Sequence, residues 1–240
     1  MGCLTIVHCA FDHSVGVDRC WLRTGELGVG DTSGRNVPTQ VTLPDSATQI
    51  SVGAGFACAI LANTQLWCWG ASYGGVFLSQ GDSTVPQQIT GIPGTISDLS
   101  AGCDMMSVII AGTTYYWGGN QWWGNYVQDL GMTGTYTQIV SVGIVGGAFA
   151  IRNDGSVWCD SFGVYCGDGS TNQGVIESNI TSGATFVMSA NGGACAIVTL
   201  GGQPTLECWG SGLDGSLGTS PQLDGSVDPV VTPFDTFSWN

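Results

Sequence analysis

The order of apolar and polar residues along the chain predicts short β-strands. In the stretch CAILANTQLWCWG, residues 58–70, an apolar run ends in a polar turn at residues 62–65, and an aromatic run follows at residues 66–69. This order predicts two antiparallel strands. No helical periodicity of 3.6 residues is sustained anywhere in the sequence, and its 39 glycines disfavour long helices. We therefore expect an all-β protein.

The same strand-turn-strand pattern recurs five times. Each copy ends at an anchor that is Trp-Gly in the clearest cases, and successive anchors lie 43 to 49 residues apart. A Gly-led loop follows each anchor, and then a proline with a β-branched stretch, as in VPTQVTL at residues 37–43. Repeats of this length that contain only short strands predict the blades of a β-propeller. The five anchors are Trp21, Trp69, Trp117, Asp160 and Trp209.

The two ends of the chain predict how a ring of blades would close. The segment from Pro229 to Trp239 matches the strand that precedes a hairpin elsewhere, as in residues 38–52, whereas the N-terminus begins directly with a hairpin. Pairing of the N- and C-terminal strands would complete one shared blade and cover exposed sheet edges. We expect one propeller domain over residues 1–240 with about five four-stranded blades. Part of a larger ring is the alternative.

Cysteines flank the predicted hairpins. Facing residues of a hairpin have Cβ atoms about 4.5 to 5.5 Å apart, which is close to disulfide range. In the third copy both facing positions change together, to Ser107 and Tyr116, as a disulfide predicts because neither cysteine is then left alone. The predicted hairpin disulfides are Cys9–Cys20, Cys58–Cys68 and Cys195–Cys208.

The other four cysteines fall outside this pattern. In the fourth copy the first hairpin position is Ala148 while Cys159 is retained, and Cys166 follows seven residues later, so we predict a Cys159–Cys166 bond across the loop. Cys3 and Cys103 either pair with each other or stay free. Metal binding is the rival interpretation, but the sequence has no Cys-x-x-Cys and spacings of 10, 11 and 13 do not suit zinc.

Charge and composition narrow the possible functions. Only 9% of the residues are charged, and 18 acidic residues against 4 basic ones give a net charge of -14. Binding to nucleic acid or to anionic lipid needs cationic side chains, so this balance argues against both. The 43% hydrophobic content is enough for a substantial core. The sequence contains no run of 18 apolar residues, so we expect no membrane insertion.

The cysteines also bear on location, because disulfides persist in oxidising compartments. Residues 1–11 are apolar but lack a basic leader, so either a signal peptide is missing from the sequence or export follows another route. The sequon at residues 179–181 makes Asn179 a possible glycosylation site. We expect an extracellular or other oxidising, exported location.

Motifs of catalysis are missing from the sequence. It has two histidines, at positions 8 and 13, and no Gly-x-Ser-x-Gly, phosphate loop or His-Glu-x-x-His. We expect no enzymatic activity and no cofactor or metal. Aspartates recur in Gly-rich loops, and we favour turns in which they bind the backbone over calcium sites. These aspartates are Asp31, Asp82, Asp168 and Asp214.

Aromatic residues mark a possible binding surface. The loop GGNQWWGNY contains Trp122, Trp123 and Tyr126, and the equivalent loop one repeat earlier contains Tyr73 and Phe77. We expect Phe77 and Tyr126 to pack between blades. Neither tryptophan has a counterpart in the better copies, so we expect at least one of them to be exposed, as in protein interfaces and sugar platforms.

The two best repeat copies resemble a known family. SVGAGFACAILANTQLWCWG at residues 51–70 and GACAIVTLGGQPTLECWGSGLDGSLG at residues 193–218 look like the repeat of the regulator of chromosome condensation family. Members usually have about seven blades, so five would depart from the pattern. The resemblance implies action through protein contacts, as in a nuclear nucleotide-exchange factor and a bacterial inhibitor of β-lactamases. It lies in scaffold positions, so no interaction residue carries over.

Three functional hypotheses follow from the sequence. The first is a non-enzymatic, extracellular protein-binding or assembly module. The second is a carbohydrate-binding lectin that stacks sugars on Trp122, Trp123 or Tyr126. The third is a structural subunit of a surface filament or larger complex, in which the diverged third and fourth repeats form the contacts.

Overall fold

A computed structural model describes residues 10–12, 17–19, 25–78, 80–119, 127–142, 147–161, 165–170, 174–190, 193–210 and 226–232. The ordered elements within these ranges are eighteen β-strands and one 3₁₀ turn at Tyr73–Gly75. The all-β prediction is confirmed.

The strands form one two-stranded sheet and four four-stranded antiparallel sheets, in which neighbours along the chain are neighbours in the sheet. We number the four larger sheets as blades 2 to 5, after the repeats. The two-stranded sheet is β1 (Ala10–Asp12) and β2 (Val17–Arg19). Blade 2 is β3 (Ala47–Val52), β4 (Phe56–Leu61), β5 (Leu66–Gly70) and β6 (Ser83–Gln88). Blade 3 is β7 (Ile96–Ala101), β8 (Met105–Ile110), β9 (Thr113–Gly118) and β10 (Gln128–Asp129). Blade 4 is β11 (Tyr136–Ser141), β12 (Gly147–Arg152), β13 (Val157–Ser161) and β14 (Gly174–Glu177). Blade 5 is β15 (Ala184–Ala190), β16 (Gly193–Leu200), β17 (Gln203–Gly210) and β18 (Ser226–Thr232).

The chain divides into two compact units. The first comprises Met1–Ala111 and Tyr115–Gln128, and the second comprises Gly112–Thr114 and Asp129–Asn240. Blades 2 and 3 therefore lie in the first unit apart from three residues of blade 3 (Thr113, Thr114 and Asp129), and blades 4 and 5 lie in the second. Each unit has its own buried cluster, which is where its two blades pack together. The single domain and the closure of a ring stay predictions.

Blades pack in the same way in both units. In the first unit β7 lies against β3 and β4, and in the second unit β15 lies against β11 and β12. Gln49 donates from Nε2 to the Asp98 carboxylate at 2.5 Å. Gln138 makes the corresponding contact with the backbone of Val187, donating to its carbonyl at 3.1 Å and accepting from its N–H at 3.0 Å. In both units, the first strand of one blade therefore packs on the first two strands of the blade before it.

Two of the Trp-Gly anchors lie at β-bulges. The pairing of β5 with β6 shifts register between Cys68 and Gly70, and that of β17 with β18 shifts between Cys208 and Gly210. Gly70 has a φ of 97° and Gly210 a φ of 111°, a backbone region that favours glycine. A Cβ atom at Gly70 would also collide with the carbonyl oxygen of Gly55. The glycine is therefore required by both the bulge and the close backbone approach.

One predicted β-branched stretch does not form a strand. VPQQIT and DPVVT contribute to β6 and β18, but residues 37–43, VPTQVTL, form no strand. In the described part of the chain no strand pairs with this stretch, whereas β6 pairs with β5 and β18 pairs with β17. Because a strand is completed by the hydrogen bonds of its neighbour, similar sequences differ here in structure.

Candidate functional site

In two blades a disulfide joins facing residues of the second and third strands. Cys58 and Cys68 lie directly opposite each other on β4 and β5, are bonded, and have Cα atoms 4.1 Å apart. Cys195 and Cys208 repeat this arrangement on β16 and β17, also with a Cα distance of 4.1 Å. Both bonds join the pairs predicted from the sequence. They hold together strands that are only five to eight residues long.

Blade 4 carries its disulfide in a different place. Cys159 on β13 is bonded to Cys166 in the following loop, with Cα atoms 5.6 Å apart, and both side chains are buried. The residue opposite Cys159 is Phe149, so the expectation of Ala148 at that position is wrong by one residue. Phe149 thus occupies the pairing position of the first cysteine, and it packs edge-on against Trp209 with ring centroids 5.4 Å apart.

Two further predictions concern one cysteine that the structure describes and three that it does not. Cys103 is disulfide-bonded, so the alternative of a free thiol at this position is wrong. Cys9, Cys20 and Cys3 lie outside the described residues, so the Cys9–Cys20 bond stays a prediction. No cysteine in the described part of the chain is free.

The loop aspartates form turns. Asp31 accepts a hydrogen bond from the Ser33 N–H at 2.8 Å, and Asp168 accepts one from the Ser170 N–H at 3.1 Å, as predicted for residues that bind the backbone two positions on. Asp82 differs, because it accepts from the N–H of Ser72 at 2.8 Å and so joins the two ends of the β5–β6 loop. Asp214 lies outside the described residues.

No group of three or more His, Cys, Asp or Glu side chains that could hold a metal ion occurs among the described residues.

The predicted aromatic surface is mostly outside the described residues. Trp122, Trp123 and Tyr126 are not described, and for Tyr73 the structure gives only its backbone, in the 3₁₀ turn. Phe77 is fully buried, packs edge-on against Phe56 at 6.0 Å and belongs to the buried cluster that combines residues of blades 2 and 3, in agreement with its predicted packing between blades. The lectin hypothesis therefore stays a prediction.

The sequon lies in the connection between β14 and β15. Asn179 and Thr181 are exposed, and Ile180 between them is buried. The backbone N–H of Asn179 donates to the carbonyl of Gly167 at 2.7 Å, which fixes this part of the connection. Glycosylation at Asn179 stays a prediction.

Asp160 occupies an anchor position that is Trp in the other three described copies. Its side chain is 6% exposed, and burial raises its pKa to about 6. The indoles at the other anchors each donate to a loop carbonyl of the preceding repeat: Trp69 to Glu26, Trp117 to Val76, and Trp209 to Tyr165. The sequence identified Asp160 as a weak anchor and gave no sign that a carboxyl group would be buried there.

Blade 5 differs from blades 2 and 4 on one side of its first two strands, where described side chains of blade 5 are exposed. We call this side the trailing face: it is the side of a blade's first two strands on which the next blade packs. Gln49, Gln138 and Phe186 are equivalent on it, because each pairs with an isoleucine of the second strand. Those isoleucines are 5% exposed in blade 2 (Ile60) and 3% exposed in blade 4 (Ile151), but Ile197 of blade 5 is only partly buried.

The exposed side chains on the trailing face of blade 5 are large and apolar. Phe186 is 43% exposed and Met188, two residues along the same strand, is 54% exposed. Blade 2 has Gln49 and Ser51 at these positions, and both bond to the next blade. Sequence reasoning missed this face. Aligning the first strands TQISV, TQIVS and TFVMS would have shown that Phe and Met replace residues that are mostly polar.

In blade 2 a side chain on the opposite side of the first strand is exposed. Ile50 lies one position after Gln49 and is 61% exposed. Its equivalents in the other blades are buried at 3% exposure or less: Leu99, Ile139 and Val187. The hairpin of blade 2 is covered on this side by Val41 and Leu43. We call the exposed part of β3 at Ile50 the leading face.

Within the residues that the structure describes, no helix has the length and apolar character that a membrane span requires.

Comparison with known proteins identifies the type of fold. The family model "Regulator of chromosome condensation (RCC1) repeat" matches residues 23–60. No curated protein sequence matches the chain at a significant level. Human WBSCR16 is 13% identical, with a TM-score of 0.67 over 80% of this chain and 54% of its own.

Two solved structures of the yeast protein Prp20 show the same likeness. The structure of Kap60 bound to yeast RCC1 (Prp20) is 16% identical to this chain, with a TM-score of 0.62 over 77% of this chain and 48% of its own. Prp20p from Saccharomyces cerevisiae, described with its binding properties to Gsp1p and histones, is 14% identical, with a TM-score of 0.61 over 76% and 49%. The chain thus spans about half the length of these propellers, and its fold is an RCC1-like β-propeller.

Proposed function

We propose that the chain is a non-enzymatic protein-binding or assembly module of an extracellular or other oxidising, exported compartment. Its RCC1-like fold supports a binding role, because yeast Prp20 is described in a complex with Kap60 and as binding Gsp1p and histones. None of those partners is assigned to this chain, since the likeness is one of fold.

The exposed apolar side chains on the trailing face of blade 5 carry the proposal. Phe186 and Met188 are 43% and 54% exposed at positions whose equivalents contact a neighbouring blade. Fully burying a side chain of this size stabilises a complex by about 1.5 to 3 kcal/mol. An exposed apolar cluster on a rigid sheet is typical of a surface that contacts another protein. β15 carries no charged residue, so closing this face against a partner requires no buried charge.

The disulfides support the proposed location. Cys58–Cys68, Cys159–Cys166 and Cys195–Cys208 each close a short loop. Such loops stabilise a fold by about 2 to 3 kcal/mol each when oxidised, and in most organisms these bonds persist only outside the reducing cytosol. Small Gly-rich blades gain most from such staples, because each blade buries little apolar surface of its own.

Site-specific photo-crosslinking in the native host tests the binding role. A benzophenone amino acid replaces Met188 in one variant and Val85 in a control variant, since Val85 is 49% exposed on β6, away from the trailing face. We expect a crosslinked protein from position 188 and none from position 85. Equal crosslinking at both positions, or none at position 188, would contradict the proposal.

A further inference from the structure

We infer that Cys103 is bonded to Cys3, so that a disulfide ties the N-terminal part of the chain to blade 3 and encloses the first two repeats. The inference goes beyond the proposed function, because it concerns how the module is held together and requires no partner. It starts from Cys103, which is disulfide-bonded and lies in the turn between β7 and β8.

The other disulfides leave three candidates for the partner of Cys103. The sequence has ten cysteines, and six of the seven that the structure describes pair with one another. The bond from Cys103 must therefore go to a cysteine outside the described residues. The three cysteines there are Cys3, Cys9 and Cys20.

In the hairpins with a disulfide, the bonded pair has a fixed neighbour. In blade 2 the pair Ala59–Trp67 lies next to the bonded pair Cys58–Cys68 in the register of β4 and β5. In blade 5 the pair Ala196–Glu207 lies next to the bonded pair Cys195–Cys208 in the same way. An alanine on the second strand of a blade therefore marks the position directly after the bonded cysteine.

The first hairpin has the same arrangement. β1 and β2 pair Ala10 with Arg19, and the next pair in this antiparallel register is Cys9 with Cys20. Facing cysteines of a hairpin are within reach of a disulfide. Because Cys9 and Cys20 are matched to each other, Cys3 is left as the partner of Cys103.

Blade 3 also differs from its neighbours in where its cysteine lies. Ser107 and Tyr116 occupy the hairpin positions that hold a bonded pair in blades 2 and 5. In the turn between the first two strands, blade 3 has Cys103 where blade 2 has Ala54. Blade 3 has thus lost the local bond and gained the cysteine of a long-range one.

The turn that holds Cys103 is fixed by hydrogen bonds to both blades. The carbonyl of Gly102 accepts from the N–H of Ala54 in blade 2 at 3.3 Å. The carbonyl of Asp104 accepts from the N–H of Gly119, directly after β9, at 2.6 Å. A disulfide at Cys103 is therefore attached where blade 2 meets blade 3.

The length of the enclosed segment sets this bond apart. Cys3 and Cys103 are 100 positions apart and belong to the same compact unit. The described bonds join cysteines that are 7 to 13 positions apart, so each acts within one repeat. Closing a longer loop removes more freedom from the unfolded chain. The bond from Cys103 therefore acts as a strap, which keeps the first two repeats attached to the third when local contacts open.

Cutting the chain between the two cysteines tests the inference. Residues 30–40 are exposed and contain one basic residue, Arg35, at which trypsin cleaves. After a brief digestion of the oxidised chain, residues 1–35 should stay attached to the rest in a denaturing gel without reductant. They should separate once a reductant is added.

Two variants identify the bond that holds the fragment. Cys3→Ser should release residues 1–35 without reductant, because a Cys9–Cys20 bond lies wholly within this fragment. The matched control is the double variant Cys58→Ser, Cys68→Ser, which removes a bond within the remainder of the chain. The control should keep the fragment attached.

Peptide mapping of the unmodified, oxidised chain identifies the partner without relying on any variant to fold. Pepsin cleaves beside Leu4, between Cys3 and Cys9, and its acid pH suppresses thiol exchange, which needs a thiolate. We expect a peptide pair that joins Cys3 to Cys103. A pair that joins Cys103 to Cys9 or Cys20, a free thiol at Cys103, or release of residues 1–35 from the unmodified chain without reductant would overturn the inference.

Discussion

Blades 4 and 5 have the same four-stranded sheet, but they differ in the anchor residues at the end of the third strand and in the position of the disulfide. In blade 5 the anchor is Trp209-Gly210, the strand pairing is bulged, and the disulfide lies inside the hairpin. In blade 4 the anchor is Asp160-Ser161, and β13 pairs with β14 in regular register throughout. The disulfide of blade 4 joins Cys159 to Cys166, which lies in the loop after the hairpin. The four-stranded blade therefore does not depend on the Trp-Gly bulge or on the place of the staple.

The two anchors differ in how much they stabilise the residues around them. Trp209 is fully buried, donates to the carbonyl of Tyr165 at 3.0 Å and packs against Phe149 of blade 4. Asp160 is buried too, but burial of its carboxyl group opposes ionisation. Blade 5 thus gains stability from its anchor, whereas blade 4 is stabilised by Phe149 and its relocated disulfide.

Removing the two anchor side chains should lower the free energy of unfolding by very different amounts. We expect Trp209→Ala to lower the free energy of unfolding by about 3 to 5 kcal/mol, because it removes a fully buried aromatic ring and leaves a cavity. Asp160→Ala should cost less than about 1 kcal/mol at pH 7, since it also removes a buried charge. Urea denaturation measures both.

Trp209→Phe is the control for the hydrogen bond. It keeps an aromatic ring beside Phe149 but removes the indole N–H and part of the buried ring, so we expect a loss of at least about 1 to 2 kcal/mol that is smaller than that of Trp209→Ala. Losses of similar size for Trp209→Ala and Asp160→Ala would mean that the two anchors are equivalent, which would break the comparison.

The two disulfides should stabilise the fold by different amounts, and the one that closes the longer loop should contribute more. Cys195 and Cys208 are 13 residues apart, and Cys159 and Cys166 are 7 apart. Replacing both members of a pair with Ala should lower the free energy of unfolding by about 3 kcal/mol for the first pair and about 2.5 kcal/mol for the second, because the longer loop loses more entropy when it is closed. Urea midpoints and slopes of the two double variants measure this order. A much larger loss in blade 4 would show that its disulfide does more than restrict the unfolded chain.

Much of this scaffold could be predicted from the sequence because it repeats. The anchors and the paired cysteines recur at fixed offsets, so copies within one chain control each other, and Cys58–Cys68 follows from its hairpin alone. The position of Phe149 opposite Cys159 could not be predicted in the same way. Blade 4 lacks both the cysteine and the Trp-Gly that fix the alignment elsewhere, and a shift of one residue moves a side chain to the other face.

The exposure of side chains on the first strands could not be predicted from the sequence, for a different reason. Alternation along β15 shows that Phe186 and Met188 share a side of the strand, but whether that side is covered depends on another blade. The same limit applies to residues 37–43, whose sequence resembles that of β6 and which form no strand. Local pattern specifies which face a residue lies on, and the neighbouring element decides whether it is buried.

The anchor of blade 4 should make stability depend on pH in a way that the anchor of blade 5 does not. The pKa of Asp160 is raised from 3.8 to about 6 in the folded chain, so the folded state holds this proton more tightly than the unfolded state does. Stability is therefore greatest below about pH 4 for this group and is lost as pH rises through 6, by about 3 kcal/mol. Burial also raises the pKa of Asp104 and Glu207, which contribute in the same direction.

Asp160→Asn isolates the contribution of this one carboxyl group, because asparagine has nearly the same shape and does not titrate. Urea denaturation of both proteins at pH 4, 5, 6 and 7 should give similar stabilities at pH 4 and a variant that is about 3 kcal/mol more stable at pH 7. Parallel curves would mean that Asp160 titrates as if exposed, and the contrast with Trp209 would then be one of packing alone. A gap that opens between pH 4 and 7 would establish that exchanging an indole for a carboxyl group has given one blade a proton-sensitive anchor while the blade's architecture is unchanged.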